Sequence, residues 1–168
     1  GATTECINQY PAGFETWAVG YYNEWGGMAF GKAIPKSGVP QVVNYMGTQM
    51  PAGLPFPPGT VVVKFLTPNA PPDCVPDLKG SPEWQLARHV LNAQKTAYTC
   101  QRAVQISRIV QVDVAVTDPR SPTGWVYGTY AYDAGQPGNT FWDHLLPLGI
   151  QYGSDPWTFP AVPNSESI

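Results

Sequence analysis

The chain of 168 residues contains little charge. Charged side chains make up 12% of it, with 9 Lys and Arg against 12 Asp and Glu, and the formal net charge is −3. About 25% is usual in soluble domains. The basic residues are scattered between Lys32 and Arg120, without the cluster that neutralising a phosphate backbone requires. This composition argues against nucleic acid as a partner.

Long apolar runs and the common catalytic motifs are also missing. No apolar segment approaches the roughly 20 residues that a membrane-spanning helix needs, so no transmembrane segment is predicted. The sequence has no CxxC, HExxH, GxSxG, GxGxxG or P-loop pattern. Its only histidines are His89 and His144, too few for a histidine-rich metal site. No metal and no cofactor are predicted.

Cysteine is scarce, with one residue each at positions 6, 74 and 100. Low charge together with abundant glycine, proline and aromatic residues is typical of secreted proteins, in which disulfides persist. We therefore predict an extracellular or cell-envelope location and a Cys74–Cys100 disulfide, whose loop of about 27 residues would stabilise the fold by roughly 3 kcal/mol. Cys6 would then be free or paired between molecules. The alternative is that all three are reduced and buried.

A strong β pattern runs from Val104 to Asp133. Valine or isoleucine occupies positions 104, 106, 110, 112, 114 and 116, with polar residues at most of the positions between them. This alternation is typical of a strand with one buried face. The connector 118–124 has turn chemistry, and 125–133 returns as an aromatic strand.

Shorter patterns complete the predicted elements. Two apolar runs, 14–22 and 28–34, are split by a glycine-bearing connector and predict a β-hairpin. Residues 60–66 are β-branched and predict a strand. Ser81, Pro82 and Glu83 resemble a helix start, and the helix would end near Asn92. Short strands near 41–46 and 148–152, a turn over 141–146, and extended tails over 1–13 and 157–168 are also expected.

These elements predict a single, mainly β domain over residues 1–168. The chain has 17 glycines and 19 prolines, which favours many turns. Strands that follow one another along the chain favour antiparallel pairing. We predict an antiparallel sheet or a barrel-like sandwich, with one short helix and long loops rich in proline and glycine.

Arg108 conflicts with the apolar pattern of the long strand. In a strand it would lie on the same face as Ile106 and Val110. Burying a cation without a partner costs several kcal/mol of stability. We predict that Arg108 points inward and pairs with Glu15, or failing that with Asp133. The pair is either part of a ligand pocket or purely architectural.

Aromatic residues supply the other candidate site. Trp125 and Tyr127 share one strand face, which is either covered or a stacking surface for flat ligands. The Asp143-His144 pair is adjacent in sequence, so the two side chains diverge and form no catalytic dyad by themselves. The predicted ligand-binding residues are Glu15, Trp17, Trp25, Arg108, Trp125, Tyr127, Trp142 and Asp143.

Five segments, 15–34, 56–66, 80–84, 111–133 and 142–156, resemble a family of largely uncharacterised secreted or envelope proteins. The blocks TGWVYGTYAYD (123–133) and WDHLLPLG (142–149) are its specific parts. The resemblance implies a secreted β-rich protein and implies no particular activity. The family usually has arginine where this chain has His144, which argues against a catalytic role for His144.

A narrower resemblance is to the β-rich haem domain of the cytochrome c-prime beta type. It rests on a strand that begins Pro-Gly-Thr at 58–60 and on GWVYGTY at 124–130. That group attaches haem through a CxxCH motif, which this chain lacks. The resemblance therefore implies non-covalent haem with a His or Tyr ligand, and no more.

Abundant aromatics with few titratable groups predict binding rather than catalysis. The leading hypothesis is a non-enzymatic extracellular domain that binds a carbohydrate or a small apolar or aromatic molecule. The first alternative is an enzyme, either a haem- or metal-dependent oxidoreductase or a hydrolase using Glu15, Arg108, Asp143 and His144. The second is a structural subunit of a surface layer or filament, with possible self-association.

Overall fold

The computed structural model describes residues 4–9, 14–39, 42–45, 48–51, 56–94, 96–152 and 166–167. Over these residues the chain is mainly β, as the sequence predicts. Its helices are α1 (Thr4–Gln9) and α2 (Glu24–Ala33), and 3-10 helices cover Pro76–Leu78 and Phe141–His144. The strands are β1 (Thr16–Tyr22), β2 (Val42–Tyr45), β3 (Thr48–Pro51), β4 (Val61–Pro68), β5 (Glu83–Leu91), β6 (Tyr98–Arg108), β7 (Gln111–Thr117), β8 (Trp125–Tyr132), β9 (Leu145–Tyr152) and β10 (Glu166–Ser167).

Most strands belong to one antiparallel sheet, in the order β1-β4-β7-β8-β9-β10. Two backbone hydrogen bonds mark the ends of the β4–β7 pair. The Val110 amide donates to the Leu66 carbonyl oxygen and the Thr117 amide to the Thr60 carbonyl oxygen, both at 2.9 Å. The pairs β2–β3 and β5–β6 form separate sheets. The strands that the structure describes form no closed barrel.

The chain divides into two compact units, and the prediction of a single domain stays a prediction. Unit 1 comprises Gly1–Val19, Phe65–Val112 and Tyr130–Leu146, and unit 2 comprises Gly20–Lys64, Asp113–Thr129 and Pro147–Ile168.

The core of unit 1 is centred on Tyr132. This ring is buried with Leu78 and Ala70, and its hydroxyl donates to the Lys79 carbonyl oxygen at 3.3 Å. Burying a phenol ring removes a large apolar area from water, provided that the hydroxyl finds a partner. Partly buried side chains pack around this cluster, namely Phe14, Val75, Val110, Ala134, Phe141 and Leu145.

In unit 2 a polar network joins α2 to the sheet strands. Asn23 caps the helix: its Oδ1 accepts from the Gly26 amide at 3.3 Å and from the Val61 amide at 3.2 Å. The buried Thr117 hydroxyl accepts from the Thr60 amide at 2.8 Å and donates to the Pro57 carbonyl oxygen at 2.9 Å. These buried groups are therefore hydrogen-bonded rather than orphaned, as their burial requires.

The predicted hairpin over 14–34 is wrong in its second arm. Strand β1 forms, but residues 24–33 are helix α2. The reason is Asn23, because an N-cap that also bonds the Val61 amide turns the expected tight connector into a helix start.

The predicted helix over 81–92 is also wrong, because this segment contains strand β5. The Ser81 hydroxyl, expected to cap a helix, donates instead to the Ile109 carbonyl oxygen at 2.6 Å. Pairing with β6 runs from Glu83 opposite Arg108 to His89 opposite Arg102. Long-range pairing therefore outweighs the local helix-start signal.

The predicted long strand is divided at Ile109 and Val110, between β6 and β7. The Ile109 amide donates to the Pro82 carbonyl oxygen, and the Val110 amide donates to the Leu66 carbonyl oxygen. The chain thus passes at this point from the β5 pairing to the β4 pairing. The other strand predictions correspond to β2, β4, β8 and β9.

The predicted Cys74–Cys100 disulfide is wrong, because Cys74 is bonded to Cys6. Cys100 is a free thiol in an exposed position on β6. The hairpin β5–β6 holds Cys100 at the surface, and the length of the loop between two cysteines does not reveal this exposure. The segment 1–13, expected to be extended, contains α1, and most of 157–168 lies outside the described residues. The turn expected over 141–146 is a 3-10 helix followed by the start of β9.

Candidate functional site

Unit 1 contains a cavity of about 410 Å³ beside the hairpin β5–β6. Two aromatic rings, two guanidinium groups, one imidazole and one carboxylate line it. Concave sites that combine apolar surface with a few polar groups are typical of small-ligand binding. The described lining residues are Glu15, Trp17, Leu86, Ala87, Arg88, His89, Tyr98 and Arg102.

The cavity follows the edge of β5 that β6 does not cover. Four consecutive residues, 86–89, line it, although alternate side chains of a strand point to opposite faces. The Ile109 amide donates to the Pro82 carbonyl oxygen. In the register of the hairpin, Pro82 is opposite Ile109, and every second residue of β5 counted from Pro82 directs its backbone groups towards β6. Ala87 and His89 occupy the positions between these residues, so their backbone groups point away from β6. Their N–H and C=O groups therefore lie on the cavity side of the strand.

Glu15 is held by both its backbone and its side chain. Its amide donates to Asn69 Oδ1 at 3.0 Å, and its carbonyl oxygen accepts from the Asn69 amide at 3.0 Å. Its carboxylate forms an ion pair with the Arg88 guanidinium. The Arg88 guanidinium carbon is 5.9 Å from the Trp17 ring centroid, within the range of a cation–π contact. One guanidinium thus links the carboxylate to the ring.

Another part of the lining comes from residues that pair across the hairpin. His89 is directly opposite Arg102, so the two side chains share a face. His89 Nδ1 is 2.9 Å from the Thr99 carbonyl oxygen. Because a carbonyl only accepts, Nδ1 carries the proton and Nε2 is the nitrogen that can meet a ligand. Arg102 Nη1 donates to the Ala87 carbonyl oxygen at 3.3 Å, which places this guanidinium at the β5 edge.

The described lining residues combine a single acid with two aromatic rings. Glu15 is the only acid among the described lining residues, and Arg88 already neutralises it. Paired carboxylates flanking a bond, the arrangement that glycoside hydrolysis requires, are not found among these residues. Trp17 and Tyr98 offer rings on which a flat ligand can stack.

Of the predicted site residues, Glu15 and Trp17 line this cavity. The predicted partners of Arg108 are wrong. Arg108 pairs with Glu83, its opposite residue on β5, and its side chain is 17% exposed. Asp133 instead accepts hydrogen bonds from the Gln136 side chain at 2.7 Å and from the Gly135 amide at 2.8 Å. Those bonds hold the pKa of the Asp133 carboxyl below its usual value.

Trp25, Trp125 and Tyr127 belong to unit 2 and not to this cavity. Trp125 stacks on Tyr127 with ring centroids 6.1 Å apart. A row of rings continues from there through Phe56, Phe30 and Tyr22, with centroid distances of 5.6, 5.6 and 4.6 Å. Burial raises the pKa of the Tyr127 hydroxyl. The predicted aromatic face is therefore partly occupied by the protein's own rings.

Trp142 and Asp143 form a local turn. The Asp143 carboxylate accepts from the Thr140 hydroxyl at 2.8 Å, from the Thr140 amide at 2.9 Å and from the Asn139 amide at 3.1 Å. These bonds, the Thr140 hydroxyl first, hold the Asp143 pKa below its usual value. His144 lies against Tyr132, with ring centroids 5.5 Å apart. None of these residues lines the cavity.

Arg88, His89, Tyr98 and Arg102 were missed as site residues. Arg88 and His89 fell in the segment predicted to be helical, and Tyr98 and Arg102 on the strand that pairs with it. The signal that could have found them is the short polar connector 92–97, which is typical of a hairpin when strands flank it.

In the described part of the chain, no three His, Cys, Asp or Glu side chains are placed to hold a metal ion. Among the same residues, no helix is long and apolar enough to cross a membrane. Comparison of the chain with protein-family models, curated proteins and solved structures finds no match. The two resemblances drawn from sequence therefore stay predictions.

Proposed function

We propose that this protein is a non-enzymatic binding domain that holds a saccharide or a small aromatic molecule in the cavity beside β5. The observation that carries the proposal is the meeting of Trp17, Tyr98 and hydrogen-bonding groups in one cavity of about 410 Å³. That volume falls within the usual range of small-ligand sites, roughly 300–1,000 Å³.

The polar groups of the cavity support the proposal. The outward N–H groups of Ala87 and His89 and the His89 carbonyl oxygen complement sugar hydroxyls, which both donate and accept. The Glu15–Arg88 pair and the Trp17 contact hold one wall in a fixed geometry. A wall that is already ordered loses less entropy on binding, which favours affinity.

An extracellular location belongs to the same proposal. The Cys6–Cys74 disulfide is of a kind that persists in oxidising compartments and is rare in the cytosol.

The test is a calorimetric titration against neutral and acidic oligosaccharides and against indole and benzoate. Binding should occur with at least one member of the panel, and Trp17→Ala should abolish or strongly weaken it. The matched control is Trp142→Ala, which removes an exposed tryptophan outside the cavity. Equal effects of the two variants, or no binding across the panel, would contradict the proposal.

A second candidate function, assembly with further copies of the chain, is favoured by exposed apolar side chains in unit 2. Contiguous apolar patches on a protein surface mark interaction sites more often than single exposed residues do. Light scattering at rising concentration tests this candidate. Ile150→Glu should lower the apparent molar mass of the assembly. Val104→Glu in unit 1 is the control and should leave that mass unchanged. The exposed side chains of Leu148, Ile150 and Tyr152 occupy alternate positions of β9 and therefore share one face of this strand.

A further inference from the structure

Two guanidinium groups and one carboxylate line the cavity beside β5. We infer that its ligand is a ring that bears a carboxylate, and that Arg102 is the residue that binds this group. The inference rests on the proposed function and narrows its ligand class. Carboxylated rings occur in uronic acid saccharides and in small aromatic acids, and the experiment separates these two sources.

The charges of the lining leave Arg102 as the available cation. Glu15 is bonded to Arg88, so these two charges compensate each other. Among the described residues Arg102 has no carboxylate within ion-pair distance, and it is the second guanidinium of the lining. A carboxylate that enters the cavity would therefore gain a partner without displacing one.

The position of Arg102 fits that role. Nη1 donates to the Ala87 carbonyl oxygen, which holds the guanidinium against the β5 edge. The remaining donors of its planar group can then bind a carboxylate, which guanidinium matches in a two-point geometry. A side chain already tethered loses less freedom when the ligand arrives.

The rings in the lining complement the rest of such a ligand. Trp17 lies beside Arg88 at 5.9 Å from its guanidinium carbon, and Tyr98 is exposed. Sugar rings and aromatic rings both pack on indole and phenol faces. The carboxylate would bind Arg102 while the ring packs against one of these side chains.

The experiment compares acids with their own methyl esters, which keep the ring and remove the charge. Calorimetric titrations use trigalacturonate and its methyl ester, then benzoate and methyl benzoate. The variants are Arg102→Gln, Arg102→Lys and the control Arg120→Gln, an exposed arginine in unit 2. Circular dichroism and thermal melting establish that each variant is folded.

We expect one of the two acids to bind more tightly than its ester, which identifies the source. Arg102→Gln should weaken the affinity for the acid about 10-fold to 100-fold, as expected for the loss of a hydrogen bond to a charged group. The affinity for the ester should be unchanged. Arg102→Lys should give an intermediate affinity, and Arg120→Gln should change it less than two-fold.

Two results would overturn the inference alone. If an ester binds as tightly as its acid and Arg102→Gln has no effect, the ligand does not need a carboxylate. The proposed binding function would still hold in that case. Equal losses in Arg102→Gln and Arg120→Gln would show unspecific attraction of anions. Absence of binding by both acids and both esters, with the wider panel also negative, would instead remove the proposed function and the inference with it.

Discussion

Glu15 forms an ion pair with Arg88, 73 positions later in the chain. The pair joins the start of β1 to the middle of β5 within unit 1. Because the same guanidinium lies over Trp17, the pair holds together three of the side chains that line the cavity. The stability of the hairpin contact and the shape of the proposed site therefore depend on one interaction.

We expect Glu15→Ala to destabilise the protein by about 1–2 kcal/mol, between the values of exposed and fully buried pairs. The two side chains are 34% and 25% exposed, so the charge left on Arg88 is only partly solvated. Urea denaturation of Glu15→Ala, Arg88→Met and the double variant measures the coupling. A coupling energy of zero would show that the two charges act independently.

The disulfide supplies the second prediction. Cys6 and Cys74 are 68 positions apart, and closing a loop of that length stabilises by about 4 kcal/mol in the chain-entropy model. Replacing both by serine should therefore lower the free energy of unfolding by roughly that amount, whereas Cys100→Ser should change it little. Thiol titration of the denatured, unreduced protein should find one thiol per chain. Three thiols, or a bridge that includes Cys100, would contradict the pairing.

Strands whose own sequences alternate could be predicted, and those that depend on a partner could not. In β7, Val112, Val114 and Val116 carry the period of two within seven residues. Strand β5 has the burial alternation, but the Ser81-Pro82 start resembles a helix cap. Only pairing with β6, across the connector 92–97, reveals its state. Local signals therefore predicted the sheet and missed the hairpin beside the cavity.

The candidate site was predicted in part for the same reason. Glu15 and Trp17 were predicted to bind ligand, but with Arg108 as the cation. Arg88 and Arg108 lie on opposite strands of one hairpin, and the observed register places Arg108 opposite Glu83. The charge of Arg108 and its position on the apolar face of the strand show that it needs an acidic partner. They do not show which acid, because that choice depends on which strands pair and in which register.

The pair Asp118 and Arg120 supplies a prediction about pH. The side chain of Arg120, and then its backbone amide, donate to the Asp118 carboxylate and lower its pKa from 3.8 to about 2. Because the folded-state pKa is the lower one, the stabilisation is complete above about pH 4 and is lost as the pH falls towards 2. Arg120→Ala should raise the Asp118 pKa towards 3.8, though not fully, since the backbone bond persists. Carbon-detected NMR titration measures it, and an unchanged pKa would contradict the side-chain contribution.

Two neighbouring glycines of α2 form a matched pair for the last prediction. A methyl group on Gly26 would lie 3.0 Å from Tyr22 Cβ and 3.3 Å from Thr60 Cγ2, whereas one on Gly27 would have no neighbour within 4 Å. Gly26→Ala should therefore destabilise by about 1–3 kcal/mol through overpacking. Gly27→Ala should stabilise by up to about 1 kcal/mol, since alanine favours the helix. Thermal and urea unfolding of both variants measures whether each substitution lowers or raises the free energy of unfolding. If both substitutions stabilise, the close approach of α2 to Tyr22 and Thr60 is wrong; if both destabilise, Gly27 is not on an open helix face.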